Sequence, residues 1–131
     1  MVTFDEVEEA QVPRVLLVDD DAHVARALVR VLKRYCDVEV AHSVAEAESL
    51  LEESESFDLI LCDLRLPVRG GADFYRSLRK RDLSQARRVA FMTGMGDDAM
   101  AGDELEEVPC FGKPIDLAMV RDLILTSGSN R

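Results

Sequence analysis

The sequence contains no apolar segment as long as the roughly 20 residues that a membrane-spanning helix needs. Residues 1–11 are acidic and lack the order of a signal peptide, in which basic residues come before an apolar stretch. These two absences predict a cytoplasmic protein with no membrane partner.

Basic residues are in short supply. The chain has 16 lysines and arginines against 26 aspartates and glutamates, and its formal net charge is -10. A surface of that sign repels nucleic acid phosphates and anionic membranes. We therefore expect no direct binding of nucleic acid by this chain, whereas a basic protein partner stays open.

Cysteine is also scarce, and its spacing has no metal-binding pattern. The three cysteines are Cys36, Cys62 and Cys110, an odd number at spacings that match no zinc site. We predict that they are reduced thiols and that each serves as a small apolar residue.

Apolar residues, in contrast, are plentiful enough for one domain. The chain has 131 residues, of which 47% are hydrophobic and 32% charged. This length suits a single domain that buries a core without disulfides. We predict a flexible acidic arm over residues 1–12, the domain over residues 13–126 and a polar tail over residues 127–131.

Five short apolar runs alternate with helical patterns along the domain. We interpret residues 14–18, 38–41, 59–62, 88–92 and 110–112 as strands. Ser43 followed by Glu46 is typical of a capping box at a helix start, and the weakly patterned residues 94–108 suggest a short helix. The alternation predicts an α/β fold with a doubly wound, five-stranded parallel sheet and helices on both faces.

Polar residues collect where these strands end, which is the edge where open parallel sheets place their chemistry. They are Asp19, Asp20 and Asp21 after the first strand, Asp63 after the third, Thr93 after the fourth and Lys113 after the fifth.

This set of residues favours phosphoryl chemistry assisted by a metal ion. Carboxylates crowded into one crevice raise one another's pKa values unless a cation lies among them. Mg²⁺ prefers oxygen ligands and neutralises charge on a transferring phosphoryl group. A carboxylate can act as the nucleophile and form an acyl phosphate, while a lysine supplies a positive charge and a threonine a hydroxyl donor.

The motifs at the strand ends resemble those of the response regulator receiver family. They are Leu17-Val18-Asp19-Asp20-Asp21, Leu61-Cys62-Asp63-Leu64 with Pro67 and Gly71, Met92-Thr93-Gly94, and Lys113-Pro114. The resemblance spans residues 13–125, and its signatures appear in the family's order. It implies a flavodoxin-like fold with strand order 2-1-3-4-5.

The resemblance also implies a role for each of these positions. Asp63 would be the phosphoacceptor. Asp20, Asp63 and the backbone carbonyl of Arg65 would bind Mg²⁺ (or Mn²⁺), and Asp19 would act through water. Thr93 and Lys113 would contact the phosphoryl group, and the peptide bond before Pro114 would be cis.

On the same basis, the phosphoryl donor would be a histidine kinase or a phosphotransfer protein. The output would go to a downstream protein partner through a surface that phosphorylation switches. The chain would not be an enzyme, but a phosphoacceptor that assists its own phosphorylation and dephosphorylation. The stretch Arg88-Val89-Ala90-Phe91-Met92-Thr93-Gly94 further resembles receivers at the C-termini of hybrid histidine kinases.

Some positions depart from the family pattern. The family usually carries Tyr or Phe three residues before the lysine, where this chain has Cys110. Phe111 is adjacent, but strand alternation predicts that its side chain points to the opposite face. Arg69 stands where methionine is frequent. Arg65 and Met95 are bulky residues on the approach to the acyl phosphate, and we expect them to slow its hydrolysis.

Three other interpretations stay open at this stage. A pseudo-receiver would keep the fold and bind partners without phosphorylation, and the altered switch position favours it. An aspartate-dependent phosphatase needs a second acid two residues after the nucleophile, where this chain has Arg65. A flavodoxin-like flavin carrier needs a hydroxyl- and glycine-rich phosphate loop after the first strand, where this chain has three aspartates.

Overall fold

A computed structural model describes residues 12–53, 56–94, 107–113 and 115–129. Its centre is one parallel sheet of five strands in the order β2-β1-β3-β4-β5. The strands are β1 (Arg14–Val18), β2 (Asp37–Ala41), β3 (Leu59–Asp63), β4 (Val89–Thr93) and β5 (Cys110–Gly112). The predicted fold class and strand order are confirmed, and the bounds of β1 and β5 agree with the prediction.

The first two helices begin at side-chain caps that the sequence supplies. The Oδ1 atom of Asp21 accepts hydrogen bonds from the backbone N–H groups of His23 and Val24, at 3.0 and 3.2 Å, where α1 (Ala22–Leu32) starts. At α2 (Val44–Glu53), the N–H of Glu46 donates to Ser43 Oγ at 3.1 Å. The carboxylate of Glu46 accepts from the N–H of His42, one residue earlier than in the usual capping box.

Three helices follow, and one of them was not predicted from the sequence. They are α3 (Gly71–Arg81), α4 (Leu83–Ala86) and α5 (Leu117–Ser129). The one-turn helix α4 was not predicted, because four residues are too few to show a period. Helix α5 includes residues 127–129, the first part of the predicted polar tail. Most of the helix predicted over 94–108 lies outside the described residues.

Two hydrophobic layers cover the sheet, one on each side. Alternate residues of β1 divide between them: Leu16 and Val18 face α2 and α3, whereas Val15 and Leu17 face α1 and α5. We call these sides the α2/α3 face and the α1/α5 face. All five residues of β3 are buried, as expected for the central strand of a sheet covered on both sides.

The three cysteines are free thiols. Cys36 and Cys62 are buried, and Cys110 is half-buried. Burial, assisted by the charge of Asp37, raises the pKa of Cys36 to about 11, so this thiol stays protonated at neutral pH. Within the described residues, we find no helix with the length and hydrophobicity to cross a membrane.

Candidate functional site

The parallel register brings the predicted site residues to one edge of the sheet. Val18 pairs with Cys62, so Asp19 and Asp63 follow neighbouring residues of adjacent strands. Thr93 ends β4, and its carbonyl accepts a hydrogen bond from the N–H of Lys113 at 2.8 Å. Pro114 lies outside the described residues, so the predicted cis bond is not described.

Three carboxylates form a compact acidic cluster at this edge. Asp19, Asp20 and Asp63 each offer one oxygen, and these oxygens lie within 4.8 Å of one another. Asp19 and Asp63 are buried, whereas Asp20 is exposed to solvent. The donor set consists of hard oxygen atoms with one side open, which fits Mg²⁺ or Mn²⁺ rather than a softer metal.

Lys113 is the positive charge of the cluster. Its Nζ donates to Asp63 Oδ2 at 2.8 Å and lies 3.3 Å from Asp19 Oδ2. Partial burial lowers the pKa of Lys113, but its interactions with Asp63 and Asp19 more than offset that and leave the pKa raised. The ammonium group is therefore charged at neutral pH, next to the carboxylates.

Opposing interactions act on the pKa of the Asp63 carboxyl group. Burial raises the pKa of its carboxyl group, and the nearby charge of Asp19 adds to this. The hydrogen bond from Lys113 and a bond from the N–H of Arg65 to Oδ1, at 3.1 Å, lower the pKa without fully cancelling the rise. The carboxylate is thus held by two donors in an environment that disfavours its negative charge.

The three consecutive aspartates, Asp19, Asp20 and Asp21, make different contacts. Asp19 Oδ1 accepts a hydrogen bond from the N–H of Asp21 at 2.9 Å, which tightens the turn into α1. Asp21 caps that helix. Asp20 is left exposed beside the other two carboxylates of the cluster.

Gly71 allows the start of α3 to pack closely against the end of β3. A Cβ atom at this position would lie 2.7 Å from the carbonyl oxygen of Asp63 and 3.0 Å from Cα of Leu64. Both neighbours are backbone atoms, so a side chain here forces the strand or the helix to move. The N–H of Gly71 donates to the carbonyl of Leu64 at 2.9 Å, which fixes the start of α3 against the end of β3.

Sequence reasoning missed the contacts of the loop between β3 and α3. Val68 has a φ of 72° and is fully exposed. The next residue, Arg69, makes two bonds to the carboxylate of Glu48 in α2, at 2.9 and 3.2 Å. The two partners are 21 residues apart, and only the departure of Arg69 from the family pattern pointed to this loop.

Cys110 and Phe111 lie on opposite faces of the sheet, as predicted. Cys110 packs against the α2/α3 face and Phe111 against the α1/α5 face. Cys110 pairs in register with Phe91 of β4, whose buried ring meets Tyr75 edge-on with centroids 6.1 Å apart. The aromatic residue that neighbours Cys110 on the α2/α3 face is therefore Phe91, which lies in the core.

Comparison with protein families gives one matching description. The model of the response regulator receiver domain matches residues 15–124, which is most of the chain. The match includes Asp19, Asp20, Asp63, Thr93 and Lys113.

Curated relatives agree with that match over part of their own length. The chain is 33% identical over 117 residues to the response regulator protein PilR of Pseudomonas aeruginosa, covering 87% of this chain and 26% of the relative. It is 37% identical over 107 residues to the transcriptional regulatory protein PrrA of Mycobacterium tuberculosis, covering 81% of this chain and 46% of the relative. The chain thus spans less than half the length of these relatives.

Solved structures show the same fold. A response regulator receiver protein from Pseudomonas putida has a TM-score of 0.75 at 32% identity, covering 88% of this chain and 97% of that one. A receiver domain from Clostridium thermocellum has a TM-score of 0.80 at 23% identity, covering 91% and 96%, and supports the fold alone.

Proposed function

Since the chain belongs to the response regulator receiver family of two-component systems, we propose that Asp63 accepts a phosphoryl group in a step that depends on Mg²⁺. The donor is the phosphohistidine of a histidine kinase or a phosphotransfer protein. One observation carries the proposal: the nearly buried Asp63 carboxylate lies 2.8 Å from Lys113 Nζ and within the cluster formed with Asp19 and Asp20.

The transfer is a substitution at phosphorus. A carboxylate oxygen of Asp63 attacks the phosphorus atom and forms a P–O bond, while the P–N bond to the donor imidazole breaks. The imidazole keeps the electron pair of that bond and takes a proton. The acyl phosphate carries more negative charge than the carboxylate, so the transfer depends on the positive charges of Lys113 and of a bound metal ion.

The acidic cluster is the proposed metal site. Asp20, Asp63 and the backbone carbonyl of Arg65 would bind the ion directly, and Asp19 would act through water. When bound, Mg²⁺ offsets the mutual repulsion of the carboxylates and neutralises charge on the phosphoryl oxygens. Lys113 supplies a second positive charge that can pass from Asp63 to a phosphoryl oxygen, because its flexible stem allows a short shift.

The output follows from movements of Thr93 and Lys113. Their shift toward the new oxygens would pull on the ends of β4 and β5, which a hydrogen bond from Lys113 N–H to the Thr93 carbonyl already links. A downstream protein partner would then prefer one state, and its differential affinity sets the size of the switch. With Cys110 at the usual aromatic position, we expect a readout that does not depend on aromatic rotation.

The experiment is intact-protein mass after treatment with acetyl phosphate, with and without Mg²⁺, on the wild type and Asp63→Asn. The proposal predicts a gain of one phosphoryl group that needs Mg²⁺ and is lost in Asp63→Asn. A gain that persists in the variant would place the acceptor elsewhere. No gain with acetyl phosphate or with phosphorylated kinase, under conditions that label another receiver, would favour a pseudo-receiver instead.

A further inference from the structure

The loop between β3 and α3 is held at both of its ends. At its start, the N–H of Leu64 donates to the carbonyl of Met92 at 2.9 Å, and Leu66 packs against the α2/α3 face. At its end, Gly71 bonds to Leu64 and the N–H of Phe74 donates to the carbonyl of Gly70 at 3.1 Å. The six residues between Leu64 and Gly71 must therefore turn within a fixed span.

That turn contains a strained residue. The N–H of Arg69 donates to the carbonyl of Pro67 at 2.8 Å, which closes a γ-turn around Val68. The φ of Val68 is 72°, a conformation that β-branched residues avoid. Its side chain is fully exposed, so no packing of that side chain offsets the strain. Something else in the loop must hold the turn in place.

The ion pair between Arg69 and Glu48 is positioned to do this. The two Nη atoms of Arg69 donate to the two carboxylate oxygens of Glu48 at 2.9 and 3.2 Å, a paired geometry stronger than a single contact. Ser77 Oγ of α3 lies 3.5 Å from the same carboxylate. The side chain of Glu48 is only 22% exposed. The residue next to the strained valine is thereby tied to α2, and the carboxylate also contacts α3.

We propose that Glu48 and Arg69 are positioning residues for the phosphorylation site. The ion pair keeps the turn around Val68 closed, and the closed turn fixes the backbone that precedes it, including the carbonyl of Arg65. The last step rests on the proposed function, in which that carbonyl binds the metal ion. When the ion pair is absent, Val68 relaxes toward negative φ, and the displacement spreads back toward Arg65 because Gly71 is fixed.

The chain offers a matched control for this ion pair. Glu52 lies one helical turn after Glu48 on α2 and pairs with Arg81 of α3, at 3.4 Å. Its partner is at the far end of α3 from the loop. Glu48→Ala and Glu52→Ala therefore each remove one ion pair made by a glutamate of α2, and only the first removes a contact to the loop.

The test measures the Mg²⁺ dissociation constant of the full chain by calorimetry. We expect Glu48→Ala and Arg69→Met to weaken Mg²⁺ binding by about fivefold, the upper range for a partly exposed ion pair. Glu52→Ala should leave it within about twofold of the wild type. Equal constants for Glu48→Ala and the wild type would overturn the proposal.

A second variant separates positioning from a merely structural role. Glycine adopts positive φ without strain, so in the Val68→Gly background the turn no longer needs the ion pair. We expect Glu48→Ala to weaken Mg²⁺ binding clearly less in that background than in the wild type. An equal loss in both backgrounds would overturn the link between the ion pair and the strained turn.

Hydrogen exchange keeps this test independent of the proposed function. The amide of Arg69 should exchange faster in Glu48→Ala than in Glu52→Ala, because the γ-turn opens more often. If the wild type binds no Mg²⁺ and takes no phosphoryl group, the proposed function fails, and the exchange result still decides whether Glu48 holds the turn. Equal exchange in the two variants would refute the holding role even if Asp63 is phosphorylated.

Discussion

The two ends of the sheet treat charge in opposite ways. At the amino end, the side chain of Asp58 accepts from the N–H of Arg14 at 2.7 Å, and Arg14 pairs with Glu39 at 3.1 Å and lies over the ring of Phe57. At the carboxyl end, three carboxylates lie together, and one ammonium group, that of Lys113, pairs with two of them. The amino end matches opposite charges, whereas the carboxyl end gathers like ones.

The difference separates what stabilises the fold from what serves the site. Buried Gln85 shows the first kind: it accepts from the N–H of Phe57 at 2.9 Å and donates to its carbonyl at 3.3 Å. One atom near the start of β4 departs from this pattern. Among the described residues, Nη1 of Arg88 is the buried side-chain atom that has no hydrogen-bond partner. At the carboxyl end, like charges lie close to Asp63 and a strained residue, Val68, lies in the loop that follows β3, a combination typical of sites kept at a cost in stability.

The largest effect should come from adding volume at the carboxyl end. Gly71→Ala places a Cβ 2.7 Å from the Asp63 carbonyl oxygen and 3.2 Å from the Phe91 ring. We expect the free energy of unfolding to fall by about 2–3 kcal/mol, measured by urea denaturation. A Cβ at Gly112 meets nothing within 4 Å, so Gly112→Ala should change stability by less than about 1 kcal/mol. Equal losses would show that packing behind Asp63 is not tight.

Removing an acid should have opposite signs at the two ends. The raised pKa of Asp63 means that its charged form is disfavoured in the folded state, so this group's contribution to stability falls as pH rises through the folded pKa. Asp63→Asn should therefore raise the melting temperature at pH 7, by an amount that shrinks toward pH 4. Asp58→Asn should lower it, because a charge-assisted bond to Arg14 N–H is weakened, at a cost of about 1 kcal/mol.

The melting temperatures of both variants are measured by thermal denaturation at pH 7 and pH 4 without Mg²⁺. A lower melting temperature for Asp63→Asn at pH 7 would mean that its bond to Lys113 outweighs burial and repulsion. When Mg²⁺ is added, it should raise the melting temperature of the wild type more than that of Asp63→Asn, because the variant lacks one carboxylate of the cluster.

Relieving the strained turn should stabilise the protein by a smaller amount. A valine at φ 72° costs on the order of 1–3 kcal/mol, and glycine gives back part of that gain through its freedom in the unfolded chain. We expect Val68→Gly to raise the free energy of unfolding by about 1 kcal/mol in urea titrations. Val12 serves as the control because it is exposed like Val68 but has no positive φ. Among the described residues, Val68 is the non-glycine residue that does. Val12→Gly should therefore bring no gain, and a similar gain in both would argue against strain.

The smallest effect concerns the lifetime of the acyl phosphate. Arg65 is exposed in the loop directly after the predicted phosphoacceptor, and we expect its side chain to hinder attacking water. Arg65→Ala should shorten the half-life of the phosphorylated form by about two- to fivefold, equivalent to a barrier change of up to about 1 kcal/mol. The decay is followed by intact mass, with Arg87→Ala, an exposed arginine outside the cluster, as control. Unaltered half-lives in Arg65→Ala and Met95→Ala would remove the basis of this prediction.

The sequence predicted features that repeat along the chain or end a strand. The apolar runs indicated five strands because each buries a continuous stretch, and parallel pairing then required Asp19, Asp63, Thr93 and Lys113 to meet at one edge. Their roles as phosphoacceptor, metal ligands and switch residues stay predictions that the labelling experiment tests. The likeness of residues 88–94 to hybrid kinase receivers also stays a prediction.

Features that depend on a single tertiary contact gave no signal. The pairing of Arg69 with Glu48 joins a loop to a helix, and an acidic residue on an amphipathic helix looks the same with or without such a partner. The γ-turn at Val68 gave no signal for a related reason. Valine disfavours positive φ, so local preference argues against a conformation that depends on tertiary contacts of the loop.

The outer strands of the sheet bear on self-association. A strand at the margin exposes N–H and C=O groups that can pair with another chain, and charge or brevity discourages this. On one side β2 carries Asp37 and Glu39, and on the other β5 has only three residues. Both features disfavour extension of the sheet by a second copy through its described outer strands.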